Sequence, residues 1–319
     1  MNKILALVDL LGFTKMIEKD HVKSKELLHD FYKIVFDSLE NNEAIKGNIS
    51  SDCVMIYSDH YSELINCVTN IYRLCFKFNK DRQDADFYLL PRGAVSVGYM
   101  DIGDRDTSLH LTKDFMIGPA LVHSSKLEQQ IKGSRLLVAI NSDDENQVKD
   151  LKLNPNLTSP LYENCTFKFW DNYSYFDALW FLDLSKNKTD QKAEVLELLN
   201  IAIQLLKINS NKTKIVEHYI NTLRLGLLSY NKFIQPKNDP VIRQILTEFP
   251  YETYWLLWLT IIEITMKSES QIQLDENICK FYKNAIISNG WIHVIEEINK
   301  TGKQYLKNNC NDFLELIYK

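Results

Sequence analysis

The spacing of hydrophobic positions along this chain changes character part-way, and each stretch predicts its own kind of element. From Lys3 to Leu10 the residues are almost all apolar until Gly12, which predicts a short buried strand. Thr14 then caps a segment in which Ile17, Leu27, Leu28, Phe31, Ile34, Val35 and Leu39 keep helical spacing. Asn48 to Ser58 alternates, with Cys53, Val54 and Ile56 broken by polar residues, and predicts a strand or hairpin. Leu64–Lys77 reads as a helix and Arg92–Met100 as a strand. Pro119–Gln130 reads as a helix that starts at Gly118-Pro119, with proline near its first position. Leu136–Ile140 and Thr166–Leu184 add strands. The order β-α-β-(β)-α-β-α-β-β predicts an α+β sandwich in which helices cover a mixed sheet.

After Ser185 the pattern turns wholly helical. A polar linker, Lys186-Asn187-Lys188-Thr189-Asp190, precedes two amphipathic faces, one of Val195, Leu198, Leu199, Ala202, Leu205 and Leu206, the other of Ile215, His218, Tyr219, Leu223 and Leu227. Pro236, Pro240 and Pro250 separate these from Trp255–Met266, whose tryptophans read as core, and from a last helical region, 275–318. The expected organisation is therefore a sheet-containing domain over residues 1–185 and an all-α domain over 186–319.

Charge sharpens the division. Residues 1–185 carry 20 basic and 27 acidic side chains, and residues 186–319 carry 17 and 15, so the first part is acidic and the second slightly basic. A net charge of -5 argues against a duplex-binding protein. Six cysteines (53, 67, 75, 165, 279, 310) form no CxxC pair, and the seven histidines form no ligand cluster; both read as reduced or structural side chains of a cytoplasmic protein. Asp101, Asp104 and Asp106 with Arg105 read as a solvated loop. Asp9 interrupts the apolar start and no cleavage site follows it, while Trp255–Ile264 falls short of the about 20 residues that span a bilayer, so no membrane segment is expected.

Four short pieces carry candidate chemistry. In Val8-Asp9-Leu10-Leu11-Gly12-Phe13 a carboxylate ends a buried strand just before a glycine turn into a helix, which are the parts for holding a divalent cation against phosphates. Asp52 opens another strand, where a second carboxylate can point toward Asp9; a pair on adjacent strands is what two-metal phosphoryl transfer requires. Arg92, at a strand start beside Gly93, is a candidate phosphate clamp. Lys126 lies two turns into the helix that opens at Gly118.

In this order and spacing the four pieces resemble the class III nucleotide cyclase catalytic domain over residues 3–185, and within it the bacterial Pycsar pyrimidine cyclases, which make cyclic UMP or cyclic CMP in anti-phage defence. Asp9, Gly12 and Phe13 match the D-x-x-G-F context of the first metal aspartate, and Asp52 matches the second, in a hairpin. Arg92-Gly93 matches a strand that supplies a triphosphate contact. Gly118 to Glu128 aligns without a gap with the G-P-A-V-N-L-A-A-R-L-E-like helix that supplies transition-state residues. The departures are Val122 for the helix asparagine and Lys126 for its arginine, a point charge where the family has a bidentate fork. Asn48 and Phe115 stand where adenylate cyclases carry the Lys and Asp that read adenine. An amide that donates and accepts, beside an apolar ring, suits a smaller base and serves uracil or cytosine equally well.

The resemblance implies a homodimer with sites at its interface. Asp9, Asp52 and the Leu10 carbonyl would hold two Mg²⁺ or Mn²⁺ ions. The Leu10–Thr14 turn, with Phe13 and Thr14, would cradle the phosphates of a nucleoside triphosphate, and Arg92 and Lys126 would neutralise developing charge. The product would be a 3′,5′-cyclic CMP or UMP that acts on a separate cyclic-nucleotide-gated effector. The alternatives are a degenerate cyclase-like dimer that binds nucleotide without turnover, and a purine cyclase.

Overall fold

The Ile4–Val8 run is apolar at every position because it forms the middle of a sheet. The computed structural model describes residues 2–267 except 41, 81, 83, 85, 104–105, 108–111, 114, 142–153, 165–166, 168 and 235–238. The expected helical region 275–318, Cys165, Cys279, Cys310, His110, His293 and the Asp104-Arg105 part of the acidic loop lie outside the described residues. Strand β1 (Asn2–Leu10) is flanked on both sides by antiparallel neighbours, β3 (Cys53–Ser58) and β4 (Pro91–Tyr99), and Ile4 to Val8 are all buried. Outward from these lie β2 (Ile45–Ser50) on one side, and β9 (Leu136–Asn141), β11 (Tyr173–Ala178) and β10 (Leu161–Glu163) on the other. The seven strands run in the order β10-β11-β9-β4-β1-β3-β2, with β4 and β9 parallel. Short pairs β5 (Asp101–Ile102) with β8 (Met116–Ile117), and β6 (Asp106–Thr107) with β7 (Thr112–Lys113), lie between β4 and the next helix in sequence. The fold is the expected α+β arrangement of a mixed sheet with covering helices.

Residue alternation assigns the helices to faces. Ala94 packs with Leu127 and Ile131 of and just after α4 (Pro119–Gln130), whereas the space beside its neighbour Gly93 is filled by the Leu7 carbonyl and the Tyr72 hydroxyl of α3 (Tyr61–Phe78). A Cβ at Gly93 would lie 2.4 Å from that carbonyl of β1 and 3.0 Å from the Tyr72 hydroxyl, so only glycine fits between the neighbouring strand and the Tyr72 side chain. Helix α2 (His21–Leu39) packs on α3, and its Leu39 covers Gly47 of β2 on the same face. The odd-numbered residues of β1 thus face α4, and the even-numbered ones face α2 and α3.

Some elements differ from the expectation for local reasons. The segment expected as one helix from Thr14 is two, α1 (Phe13–Lys19) and α2, because Asp20 takes an extended backbone (φ −157°) and its carboxylate accepts from the Val22 and Lys23 N–H groups at 3.0 and 3.1 Å. Gly12, in the left-handed conformation (φ 78°), is the cap of α1 in place of Thr14. The strand expected over 166–184 holds only from Tyr173 to Ala178. Trp180 and Phe181 are buried by stacking on each other and by ring contacts to Phe76, not by a ladder.

By its internal contacts the chain divides into Met1–Ser229 and Tyr230–Lys319. The first unit thus runs past the change of pattern at Ser185. Helix α5 (Lys188–Asn209) packs on α3, with Lys80–Glu197 at 2.7 Å and a Lys77–Glu194 pair at the contact. On α6 (Val216–Tyr230), Gly226 meets Leu199 and Phe181, and Thr222 and His218 accept the Ser134 and Gly133 N–H groups at 2.8 and 3.0 Å. In the second unit, α7 (Pro240–Glu248) is capped by Asp239, to which Tyr230 donates at 3.0 Å, and α8 (Tyr251–Lys267) follows. Trp258 is buried and donates to the Phe249 carbonyl at 2.9 Å; Trp255, expected as core, is 46% exposed, beyond a non-helical residue at Tyr254. Among the described residues no helix is long and apolar enough to cross a membrane.

His218 couples this packing to pH. Burial, with Lys132, Arg92 and Lys15 nearby, pushes its imidazole down to about 4, and its Nδ1 is already committed to the Gly133 N–H. Between roughly pH 6.5 and 4 the unfolded chain therefore binds a proton that the folded chain refuses. Stability is fully present above about pH 6.5 and falls as pH drops toward 4, by at most about 3 kcal/mol from this group. Urea unfolding at pH 7.5 and 4.5 should show that fall, and His218→Gln should flatten it; an unchanged pH dependence in the variant would contradict the assignment.

Candidate active site

The sheet register places two candidate site residues, Asp9 and Arg92, in one row with Cys53. Asp9 on β1 is opposite Cys53 on β3 and opposite Arg92 on β4, so all three share the face toward α4. Asp52 is adjacent, in the two-residue turn between β2 and β3, and its carbonyl accepts the Leu10 N–H at 3.2 Å. The row lies where β1 stops being apolar: the Leu11 N–H still bonds the Leu90 carbonyl at 3.0 Å, and Gly12 then turns the chain into α1.

Helix α4 closes the row from above. Its inward stripe is Ser124, Leu127, Glu128 and, just past its end, Ile131, the i, i+3, i+4, i+7 spacing of a helix lying on a sheet. Glu128 is only 6% exposed, and it forms an ion pair with Arg92. The same guanidinium reaches Asp9 Oδ2 at 3.4 Å and donates to the Ile131 carbonyl at 3.4 Å, while its Nε is buried without a hydrogen-bond partner. Arg92 is thus drawn into the protein between two carboxylates, not extended toward solvent as a free phosphate clamp.

Two carboxylates, Asp9 and Glu128, pair with this one guanidinium, and Asp52 lies close enough to add its charge to both of them. Burial, reinforced by Glu128 and Asp52, pushes the Asp9 carboxyl up to about 7 in spite of Arg92. Burial also raises Glu128 against the pull of Arg92, and burial followed by Asp9 pushes the Cys53 thiol up to about 12, which leaves it an inert neighbour and not a nucleophile. Excess negative charge of this kind suits a divalent cation. Among the described residues no three His, Cys, Asp or Glu side chains form a closed metal cluster. The donor set instead fits an open site for Mg²⁺ or Mn²⁺, in which Asp9, Asp52 and the Leu10 carbonyl supply a few ligands and substrate oxygens the rest.

The other expected residues are distributed unevenly. Leu10 and Phe13 are buried, so each has only backbone to offer a ligand, whereas Thr14 is exposed at the start of α1. Asn48 lies opposite Met55, which is opposite Leu7, so it shares the α4 face two residues along from the Asp9 row, roughly 7 Å away along the strands. It lines an open cleft of about 1160 Å³ with Met55, Tyr57, Ile102, Gly103 and Leu121. The Phe115 ring, 39% exposed, lies against Gly103 of the cleft's lining so closely that any side chain there would strike it. Lys126 does not join Asp9: it is exposed on the outward side of α4 with Val122, one turn away, and its charge is felt by His123, whose imidazole is lowered by burial and then by Lys126. Glu128 is the site residue that motif matching did not single out. The signal was available, since a carboxylate on the apolar stripe of a helix has to be paired to be buried.

Neither a protein-family model nor a curated protein matches this sequence. Solved structures similar to the chain include the adenylyl cyclase CyaB from P. aeruginosa (14% identical over 56% of this chain and 93% of that one, TM-score 0.42). They also include the guanylyl cyclase Cya2 (12%, 56% and 92%, TM-score 0.42) and a bacterial light-regulated adenylyl cyclase (13%, 64% and 97%, TM-score 0.41).

The charge balance makes opposite forecasts for two carboxylates. Glu128→Ala takes from the half-buried Arg92 its more deeply buried partner, leaving Asp9, and should cost about 2 kcal/mol of stability. Asp9→Asn removes a carboxylate whose ionisation at pH 8 opposes folding, and should raise the unfolding midpoint in EDTA, by about 1 kcal/mol or more. Thermal unfolding of both variants at pH 8 checks this; a destabilised Asp9→Asn would mean that Arg92 outweighs the other two carboxylates.

Proposed function

We propose that the chain is a nucleotide cyclase that converts CTP or UTP to the 3′,5′-cyclic monophosphate and pyrophosphate. The observation that carries this reading is the meeting of Asp9, Asp52 and Arg92 at the ends of three neighbouring strands, with Asn48 on the same face two residues along. A triphosphate with its phosphates at the strand ends would lay its base toward Asn48 and Phe115. The amide would pair with the edge of a small base while the ring packs on its face.

Asp9, Asp52 and the Leu10 carbonyl would hold two Mg²⁺ or Mn²⁺ ions, whose chemistry is to acidify the 3′-hydroxyl and neutralise the β- and γ-phosphates. The Leu10–Thr14 turn would orient the phosphates through backbone N–H groups and the exposed Thr14 hydroxyl. The 3′-oxygen attacks the α-phosphorus in line, a new O3′–P bond replaces the bond to the bridging oxygen, pyrophosphate leaves, and the hydroxyl proton passes to water. Arg92 offsets negative charge beside Asp9 throughout. Val122 and Lys126 face away from the chain's own Asp9 row, which supports a head-to-tail homodimer in which Lys126 serves the partner's site. The resemblance to pyrimidine cyclases of anti-phage defence supports a second-messenger role, with a separate effector reading the product.

The test is to incubate the purified protein with Mn²⁺ and each of ATP, GTP, CTP and UTP. A cyclic pyrimidine product with pyrophosphate release is expected, and Asp9→Ala and Asp52→Ala should each lose activity by about 100-fold or more. Cyclisation of a purine alone would overturn the pyrimidine assignment. Tight nucleotide binding with no pyrophosphate would make the chain a binding module.

A further inference from the structure

The turn that carries Asp52 is held by a residue from outside the sheet. Only Ser51 and Asp52 lie between Ser50, the last residue of β2, and Cys53, the first of β3. Ser51 has φ 55°, the left-handed region that side chains avoid, and it is the sole non-glycine residue there among the described residues. Two hydrogen bonds from different elements hold the turn in that shape. The Tyr32 hydroxyl of α2 donates to the Ser51 carbonyl at 2.7 Å, and the Leu10 N–H at the end of β1 donates to the Asp52 carbonyl at 3.2 Å. The Leu10 bond is continuous with the sheet. The Tyr32 bond reaches the turn from a helix, through a half-buried side chain whose ring already packs beside Phe31 and His29. Packing alone would be served by phenylalanine, so what the hydroxyl adds is its grip on Ser51.

We propose that Tyr32 is a positioning residue for Asp52: its phenol holds the β2–β3 turn in the strained conformation that sets the Asp52 carboxylate beside Asp9. The proposal rests on the metal reading above, with Asp52 as a ligand. Tyr32 touches neither metal nor nucleotide. Without its hydroxyl the turn relaxes toward ordinary backbone angles, the two carboxylates separate, and the cost falls on cation binding more than on the fold.

The experiment uses the full chain and its Tyr32→Phe variant, which keeps the ring. Mn²⁺ binding is followed by electron paramagnetic resonance in the presence of inorganic tripolyphosphate, which has no base and no 3′-hydroxyl, so neither substrate choice nor turnover enters the measurement. Amide hydrogen exchange of the 48–54 peptide is measured in parallel. The expected result is Mn²⁺ binding about tenfold weaker in the variant. Faster exchange should be confined to that peptide, with the unfolding midpoint moved by no more than about 3 °C. Equal Mn²⁺ affinity in the two proteins overturns the proposal and leaves the metal reading standing. Weaker binding with faster exchange throughout the first unit also overturns it, because Tyr32 then supports the fold at large. A wild-type chain that binds no Mn²⁺ overturns the metal reading, and the proposal with it.

Discussion

One half-buried cation organises the site. Arg92 lies between Glu128 of the helix above the sheet and Asp9 of the central strand, and neither the guanidinium nor the Glu128 carboxylate could be buried without the other. The pair therefore fixes where the end of α4 rests on the sheet, and α4 carries with it the outward-facing Val122 and Lys126. One guanidinium serves Asp9 and Glu128 while Asp52 adds a third negative charge nearby, which leaves the cluster short of positive charge. Burial, with that deficit added to it, raises the Asp9 carboxyl, and the deficit makes the strand ends a place for cations.

The two faces of the sheet are treated differently, and the candidate site uses the difference. Helices α2 and α3 cover the even-numbered face of β1, where the Leu7 carbonyl and the Tyr72 hydroxyl leave room only for glycine at position 93. On the other face α4 is the long helix among the described residues, and the strip over β2 and β3 remains an open cleft beside Asn48. The site thus lies where packed sheet gives way to open surface. Asp9 and Glu128 are buried enough to have raised affinities for protons, yet Asp9 keeps a quarter of its side chain exposed to a ligand.

Much of this was legible in the chain before any fold was known. The apolar run Ile4–Val8 of β1, the alternation that became the β2–β3 hairpin and the proline start of α4 each carry their own local signal, and the structure places these elements close to where the pattern does. Asp9, Asp52 and Arg92 were marked by position, because each sits at a strand end next to a turn. Other features carried weaker local marks. Asp20 breaks a continuous helical period with its own side chain, a cap that apolar spacing hides. The helices after Ser185 look like a separate domain by composition, yet α5 and most of α6 belong to the first unit, held by Lys77–Glu194 and by the Ser134 and Gly133 amides.

By itself the sequence determined the element types and the chemistry available at the strand ends, since both follow from residue type and from spacing within a few neighbours. The tertiary structure alone decided which charges meet. Register puts Arg92 opposite Asp9, the docking of α4 brings in Glu128, and the fold of α2 onto the hairpin sets Tyr32 against Ser51. These partners are separated by tens of residues, and electrostatic pairing acts through space and not along the chain. No local pattern therefore records it.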